Sequence, residues 1–276
     1  MRCSAILGVL MIMGGLQAEP PAYAPAMKEV SAKFRGRPGV VLHVGDSITY
    51  ANPYGAWARY GEGKTDADRA VLKWMHTGDD NDQDGWYLAR FDHPAGGRSH
   101  TACNGIRANE LLAGGNKGLP AYDKLLRQYQ PQIVVLMIGT NDVSANRTVA
   151  AYRADVTTLL KKTMADGVIP ILSTIPPHIG NPTLAAKYNV ALRDLATELS
   201  IPLIDYEREI LTRRKTDWNG TLLNKGDVHP TVGIEEVKPN AAPTETNLSR
   251  SGYLLRGWLS VQKIAEVKAA VIDSRP

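Results

Sequence analysis

The sequence is poor in cysteine. Only Cys3 and Cys103 occur among 276 residues, and Cys3 lies in an N-terminal segment that we expect to be removed on export. One cysteine would remain after that removal, which excludes an internal disulfide and leaves stability to the core. No activating residues surround Cys103, so we expect an inert thiol rather than a nucleophile.

The sequence also lacks a membrane-spanning run. The apolar run at residues 5–16 is shorter than the roughly 20 residues that a spanning helix needs, and no later segment is long enough either. Arg2 precedes this run and a small-residue cleavage site ends at Ala18, which is the pattern of a signal peptide. We therefore expect residues 1–18 to be a signal peptide and the protein to be secreted or periplasmic, with no membrane span.

A strong charge of one sign is absent as well. The net charge is +4, and the only dense basic run, at residues 213–215, favours a solvated helix end over a nucleic-acid-binding surface. The hydrophobic fraction of 43% is that of a globular protein, and no linker divides the chain. We predict an N-terminal extension at residues 19–38 and a single domain at residues 39–276.

Short apolar runs alternate with amphipathic patterns along this domain. The runs predict strands at residues 39–45, 133–138, 168–172 and 201–204, and the patterns predict helices at residues 119–130, 149–165, 183–200 and 251–271. This alternation indicates an α/β fold with a parallel sheet that helices cover on both faces. Residues 52–97 and 232–247 break the rhythm, and we expect them to be insertions that build binding surfaces.

Two motifs follow predicted strands. The first, GDS at residues 45–47, places the Ser47 hydroxyl at the carboxyl end of a parallel strand, where such sheets bind ligands. The second, GTND at residues 139–142, places Asn141 at the end of another strand. An amide there can donate to charge that develops in a transition state, and the alternative is an asparagine that only makes a turn.

A third motif, GDVHP at residues 226–230, supplies a histidine beside a carboxylate. The imidazole of His229 can accept a serine proton near neutral pH, and a carboxylate can hold its tautomer. His43 is the rival base, but its position inside an apolar strand favours a buried core histidine. The other histidines, which lack a comparable setting, are His76, His93, His100 and His178.

In order and spacing, these three motifs resemble the SGNH (GDSL-type) hydrolases over residues 40–271. The resemblance implies a three-layer, flavodoxin-like, doubly wound parallel sheet of about five strands, and a serine esterase that needs no cofactor. Ser47 would be the nucleophile and an oxyanion-hole donor, Asn141 a second donor and His229 the base. The AGGRS segment at residues 95–99 resembles the carbohydrate acetylesterase branch and would place the oxyanion glycine at Gly97, with Gly105 as the alternative.

One position departs from that family. The family places its aspartate three residues before the histidine, where this sequence has Gly226. Asp227, two residues before His229, would still face the same side in an extended segment, which makes it our candidate for the third triad member. Asp205 and Asp217 are the rivals.

An acidic segment and several aromatic residues each allow two interpretations. Residues 80–85 (DNDQDG) resemble the start of a calcium loop, but Phe91 stands where the bidentate glutamate is needed, so we expect a solvated turn and no metal site. Five aromatic residues near the predicted site either form walls of a sugar groove or pack inside the protein. They are Tyr54, Trp57, Trp74, Trp86 and Trp218.

The expected substrate is a small-molecule or glycan ester with a short acyl group, above all an acetyl group on a carbohydrate. Export and the acetylesterase-like AGGRS segment favour this interpretation, and the charge of residues 52–97 disfavours an interfacial lid. Two alternatives remain open. One is a lipase or lysophospholipase that acts on longer chains, and the other is a non-catalytic carbohydrate-binding protein on the same fold.

Overall fold

A computed structural model describes residues 19–76, 84–90 and 96–274. The predicted signal peptide and residues 80–83 of the acidic segment lie outside these described residues, and so do His93 and Ala95. Within them, no helix is both long enough and apolar enough to cross a bilayer.

The described residues form one sheet of four parallel strands in the order β1-β2-β3-β4. The strands are β1 (Val41–Gly45), β2 (Ile133–Met137), β3 (Ile169–Ser173) and β4 (Leu203–Ile204). Every residue of the first three strands is buried, which explains why they are continuous apolar runs in the sequence. The four predicted strands are confirmed, although β4 is shorter than predicted.

The expectation of about five strands is one too high for the described residues. At the place where a fifth strand would pair, on the edge of β1 away from β2, the structure has only a single parallel bridge between Gly45 and Ala102. Arg98 forms an antiparallel bridge with Cys103, so the chain folds back on itself there and leaves no extended stretch to pair. The segment around Ala102 lies on one edge of β1, and the next strand, β2, lies on the opposite edge. The order in which the chain adds strands therefore reverses direction at β1, as it does in a doubly wound sheet.

Most helices come from the segments between strands. They are α1 (Ala24–Ala32), α2 (Ser47–Tyr50), α3 (Ala56–Tyr60), α4 (Asp66–Met75), α5 (Gly85–Arg90), α6 (Ala108–Ala113), α7 (Tyr122–Tyr129), α8 (Thr140–Ser144), α9 (Val149–Ala165), α10 (Pro182–Glu198), α11 (Tyr206–Arg213), α12 (Glu245–Leu248) and α13 (Gly252–Val267). Short 3₁₀ turns lie at Asn52–Gly55 and Asn116–Gly118, and a π-helical turn at Lys268–Ile272 follows α13.

The helices pack in two groups around the sheet. In one group α9 contacts α6, α7, α10 and β3, and in the other α13 contacts α3, α4 and β4. The predicted helices are confirmed, with shifts at several boundaries. The helix α10 ends at Glu198 rather than at residue 200, and α13 ends at Val267, where a π-helical turn follows. The helix α7 begins at Tyr122 rather than at residue 119, because a residue that precedes a proline, as Leu119 precedes Pro120, is driven out of the helical conformation.

The described part of the first insertion contributes one side of its helices to the core. Its helices α3 and α4 pack against α13, and α5 packs against β1. Tyr54, Trp57 and Trp86 are buried, while Trp74 is partly buried against the core, as is Trp218 outside the insertion. Tyr54, Trp57 and Trp86 therefore stabilise the fold rather than wall a groove.

The second insertion consists of turns that lead into α12 and rests on the first. The amide of Glu62 donates to the carbonyl of Asn240 over 3.0 Å. This contact joins the two insertions to each other.

Candidate active site

Ser47 lies where β1 turns into α2. Gly45 ends the strand at a point where a Cβ would stand 2.3 Å from the carbonyl oxygen of Met137 and 2.4 Å from Thr49 Oγ1. Only glycine fits such a close approach. Asp46 then caps α2 by accepting a hydrogen bond from the amide of Ile48 at 3.0 Å. Ser47 is therefore the first residue of α2, at the carboxyl edge of the sheet.

His229 joins this serine to a carboxylate. Its Nε2 lies 2.8 Å from Ser47 Oγ, and its Nδ1 lies 2.9 Å from both carboxylate oxygens of Asp227. Because a carboxylate only accepts, Nδ1 carries the proton and Nε2 is free to accept from the serine hydroxyl. The three side chains thus form a continuous hydrogen-bonded chain.

The loop that carries His229 is held by backbone contacts. The carbonyl of His229 accepts from the amide of Asn224 over 2.9 Å, and Pro230 pairs with Leu223 in an antiparallel bridge. The amide of Thr231 donates to the carbonyl of Leu222 over 2.9 Å. These bonds fix the direction in which the imidazole points.

Asp227 is ionised at neutral pH. Burial raises its pKa, but the hydrogen bonds from His229 and from the Val228 amide, at 2.6 Å, outweigh burial and leave the pKa below its usual range. The unusual two-residue spacing is therefore compatible with contact between the two side chains. The rivals are engaged elsewhere, since Asp205 pairs with Arg193 at 2.7 Å and Asp217 pairs with Arg214 at 3.0 Å.

Asn141 contacts Asp46, the residue that directly precedes Ser47. Gly139 leads out of β2 with a φ of +134°, and a Cβ there would stand 2.6 Å from the Tyr152 hydroxyl. The chain then enters α8, whose second residue is Asn141. Its Nδ2 donates to the Ile106 carbonyl at 3.1 Å and to Asp46 Oδ2 at 3.4 Å.

The two candidate oxyanion glycines lie in different surroundings. Gly105 directly precedes Ile106, whose carbonyl holds the Asn141 amide, and a Cβ on Gly105 would meet nothing within 4 Å. Gly97 lies beside Lys117, whose Nζ would be 2.6 Å from a Cβ at Gly97 and is 3.5 Å from its carbonyl oxygen. The carbonyl of Gly97 accepts from the amide of Asn104 over 3.3 Å, so both glycines lie close to the segment that contacts Asn141.

Sequence reasoning missed a buried cation that contacts the helix of Ser47. Arg256 is 2% exposed, and its guanidinium donates to the Ile48 carbonyl and to Thr49 Oγ1, both at 2.8 Å. It also lies 3.6 Å from the centroid of the Tyr54 ring. The helix α13 thereby holds α2 in place. An arginine between buried neighbours on an otherwise apolar helix face was the signal that could have found it.

His43, the rival base, and His178, which the sequence did not favour, are both structural. Burial lowers the pKa of His43 to about 3, and its Nδ1 contacts the Tyr54 hydroxyl at 3.0 Å, so it is a neutral core residue as the sequence indicated. His178 contacts Ser144 Oγ at 3.0 Å, but its Nδ1 accepts from the amides of Gly180 and Asn181. Its proton therefore lies on Nε2, which excludes it as a base for Ser144.

The described end of the acidic segment is buried rather than solvated, which corrects our expectation for Asp84. This carboxylate forms an ion pair with Arg59 and lies 3.2 Å from His76 Nδ1. It also accepts from the amide of Trp86 at 2.8 Å. Within residues 19–76, 84–90 and 96–274, no group of three or more histidine, cysteine, aspartate or glutamate side chains could hold a metal ion.

Comparison with known proteins identifies a family and a shared fold. The GDSL-like lipase/acylhydrolase family matches residues 43–233. One similar solved structure is a variant of Axe2, an acetyl xylan esterase from Geobacillus stearothermophilus, with 16% identity, a TM-score of 0.52 and coverage of 84% of this chain and 96% of that one. Another is an acetyl esterase variant with an acetate ion, with 18% identity, a TM-score of 0.52 and coverage of 82% and 98%. No curated protein sequence matches the chain.

The solved structures are too distant in sequence to show more than a shared fold. The family match extends from β1 to the segment beyond His229, and it therefore spans all three motifs. The chain belongs to the GDSL-like lipase/acylhydrolase family of SGNH hydrolases and is a carboxylic ester hydrolase.

Proposed function

We propose that Ser47 is the nucleophile of a two-step ester hydrolysis. The observation that carries this proposal is the hydrogen-bonded chain from Asp227 through His229 to Ser47 Oγ. As Ser47 Oγ attacks the ester carbonyl carbon, His229 Nε2 accepts the hydroxyl proton and Asp227 stabilises the imidazolium that forms. The tetrahedral intermediate then collapses, and His229 donates the proton to the departing alcohol.

The second step regenerates the enzyme. Water attacks the acyl group on Ser47 while His229 accepts one of its protons. Collapse of the second intermediate releases the carboxylic acid and returns the proton to Ser47 Oγ. Both intermediates carry a negative oxygen that needs hydrogen-bond donors.

We assign these donors to the Ser47 amide, the Gly105 amide and Asn141 Nδ2. Gly105 replaces Gly97 in this proposal because its neighbour Ile106 contacts Asn141 and the space beside Gly105 is open. Its φ of +77° also favours glycine. Donors fixed before the reaction stabilise charge that appears only in the transition state.

The proposed substrate is a short acyl ester, above all an acetyl group on a carbohydrate. Among the described residues, the exposed large hydrophobic side chains lie on four separate segments, at Tyr60, Ile179, Val190 and Val232. A lipase that works at an interface needs a contiguous apolar surface instead. The two solved esterases are named for acetyl esters, which agrees with this proposal at the level of a shared fold.

A chain-length series tests the substrate. We expect the kcat/KM for p-nitrophenyl esters to be highest for acetate and to fall steadily towards palmitate, with acetate released from at least one of acetylated xylan and acetylated pectin. Ser47→Ala serves as the control for background hydrolysis. A maximum at eight carbons or more, without acetate release from either glycan, would contradict the proposal and favour a lipase.

We further propose that the protein is exported and that residues 1–18 are removed. The supporting observation is the order of Arg2, the apolar run at residues 5–16 and the cleavage site that ends at Ala18. Mass spectrometry of the mature protein from its native host should find Glu19 as the first residue. A mature chain that begins at Met1 would contradict this proposal.

A further inference from the structure

The carboxylate of Asp46 is fully buried, yet the reaction described above gives it no role. Its Oδ1 accepts from the Ile48 amide at 3.0 Å, and its Oδ2 accepts from Asn141 Nδ2 at 3.4 Å. One side chain therefore joins the helix that carries the nucleophile to the amide that we assign to the oxyanion hole. Burial of an aspartate is costly unless its contacts compensate, so this position calls for an explanation.

The contacts of Asn141 fix the orientation of its side-chain amide. Nδ2 points at two acceptors, the carboxylate of Asp46 and the carbonyl of Ile106. A half-turn of the amide would place Oδ1 against both oxygen atoms and lose both hydrogen bonds. Both N–H bonds of Nδ2 are engaged in this arrangement, so an oxyanion would share the longer one, to Asp46 Oδ2 at 3.4 Å. An ionised Asp46, which can only accept, therefore favours the orientation that presents Nδ2 rather than Oδ1.

We propose that Asp46 is a positioning residue for ester hydrolysis, which orients the Asn141 amide towards the oxyanion while it caps the helix of Ser47. The proposal rests on the proposed function, because it needs Asn141 to stabilise the oxyanion. It adds a fifth side chain to Ser47, His229, Asp227 and Asn141, one that acts through Asn141 and not on the substrate.

The charges around Asp46 determine when it can act. Arg256 on α13, His229 in its loop and Asp142 on α8 are the charged or titratable groups that influence it most, with Tyr152 and Tyr253 also nearby. Burial raises the pKa of Asp46 to about 6, although the hydrogen bond from the Ile48 amide and the positive charge of Arg256 oppose this. Below that pH the side chain is protonated and no longer offers two acceptor oxygens.

Substitution by asparagine changes the hydrogen-bonding pattern but not the size. The amide oxygen of Asp46→Asn would remain with the Ile48 N–H, so its NH₂ would face Asn141 and favour the flipped amide. We expect kcat to fall about 100-fold, the scale of losing one oxyanion donor, with KM nearly unchanged. Because a raised pKa means that ionisation costs stability above about pH 6, the variant should melt no lower than the wild type at pH 8.

A second substitution separates the two contacts of Asp46. Serine is a good helix cap but is too short to reach Asn141 as well. If orientation of Asn141 is the role of Asp46, Asp46→Ser should lose about as much kcat as Asp46→Asn, roughly 100-fold. Activity near the wild-type level in Asp46→Ser would reduce Asp46 to a helix cap and overturn the proposal.

A double-mutant cycle with Asn141→Ala gives the decisive measurement. If Asp46 acts through Asn141, the double variant Asp46→Asn with Asn141→Ala should have a kcat within about threefold of Asn141→Ala alone. Asp205 provides the matched control, because it caps α11 after β4 as Asp46 caps α2 after β1. Asp205→Asn combined with Asn141→Ala should show additive effects.

Two outcomes would contradict the inference, and neither would affect the assignment of Ser47 as the nucleophile. One is full additivity of Asp46→Asn and Asn141→Ala, and the other is a kcat for Asp46→Asn that matches the wild type. Both outcomes are kcat measurements on an enzyme whose activity is lost in Ser47→Ala. Loss of that dependence would instead contradict the proposed function, so the two failures are distinguishable.

Discussion

Alanine in place of Ser47 or of His229 is expected to reduce kcat by about a million-fold, and the double variant should be no worse than either single one. Nucleophile and base act as a unit, because the serine hydroxyl is a weak nucleophile until His229 Nε2, 2.8 Å away, accepts its proton. Neither side chain belongs to the apolar core, so both variants should fold. The measurement is kcat for p-nitrophenyl acetate beside a thermal melt.

Ser144→Ala is the matched control for this prediction. Ser144 also contacts a histidine ring nitrogen, at 3.0 Å, but that histidine is structural. The variant should therefore keep its esterase activity. Retention of more than a few per cent of the wild-type rate in folded Ser47→Ala would rule out Ser47 as the nucleophile.

The second large effect is expected at Asp227, where asparagine should lower kcat by about ten-thousand-fold. An amide can donate to Nδ1, which would move the imidazole proton to Nε2 and prevent it from accepting from Ser47. It also removes the negative charge that stabilises the imidazolium. Because the pKa of Asp227 is lowered, wild-type Asp227 supplies this charge until the pH falls through that depressed value.

Asp205→Asn tests whether the effect belongs to Asp227. Asp205 pairs with Arg193 and is expected to affect the melting temperature more than kcat. If Asp205→Asn lowered kcat more than Asp227→Asn, with both variants folded, the third triad role would move to Asp205.

The strands and longer helices could be predicted because their patterns are local. The strand β2 is a continuous run of β-branched and aliphatic residues, and α9 begins and ends where its cap residues indicate. The missing fifth strand could not be predicted. Residues 98–103 fold back on themselves through the bridge between Arg98 and Cys103, so only Ala102 pairs with the edge of β1.

Site residues could be predicted where they directly follow a strand that the sequence itself reveals. Ser47 and Asn141 were named in that way, and His229 was named by its neighbouring carboxylate. Arg256 was not, because its contact with the Ile48 carbonyl spans 208 residues of sequence. Asp46 was passed over because the sequence does not show that its second oxygen meets Asn141.

The aromatic residues of the first insertion were ambiguous for a different reason. The sequence alone does not distinguish a tryptophan that packs in a core from one that lines a sugar groove. Trp57 and Trp86 are buried because α13 and β1 supply the surfaces that α3 and α5 cover. Those partners lie far away in the sequence.

Covalent labelling tests the activated serine most directly. A fluorophosphonate should react with the wild-type protein in a one-to-one ratio, and mass spectrometry of the digested protein should find the adduct on Ser47. Ser47→Ala should remain unlabelled, and His229→Ala should label far more slowly because its hydroxyl has no base. An adduct on another residue, or no adduct on a folded protein that hydrolyses esters, would contradict the assignment of Ser47 as the nucleophile.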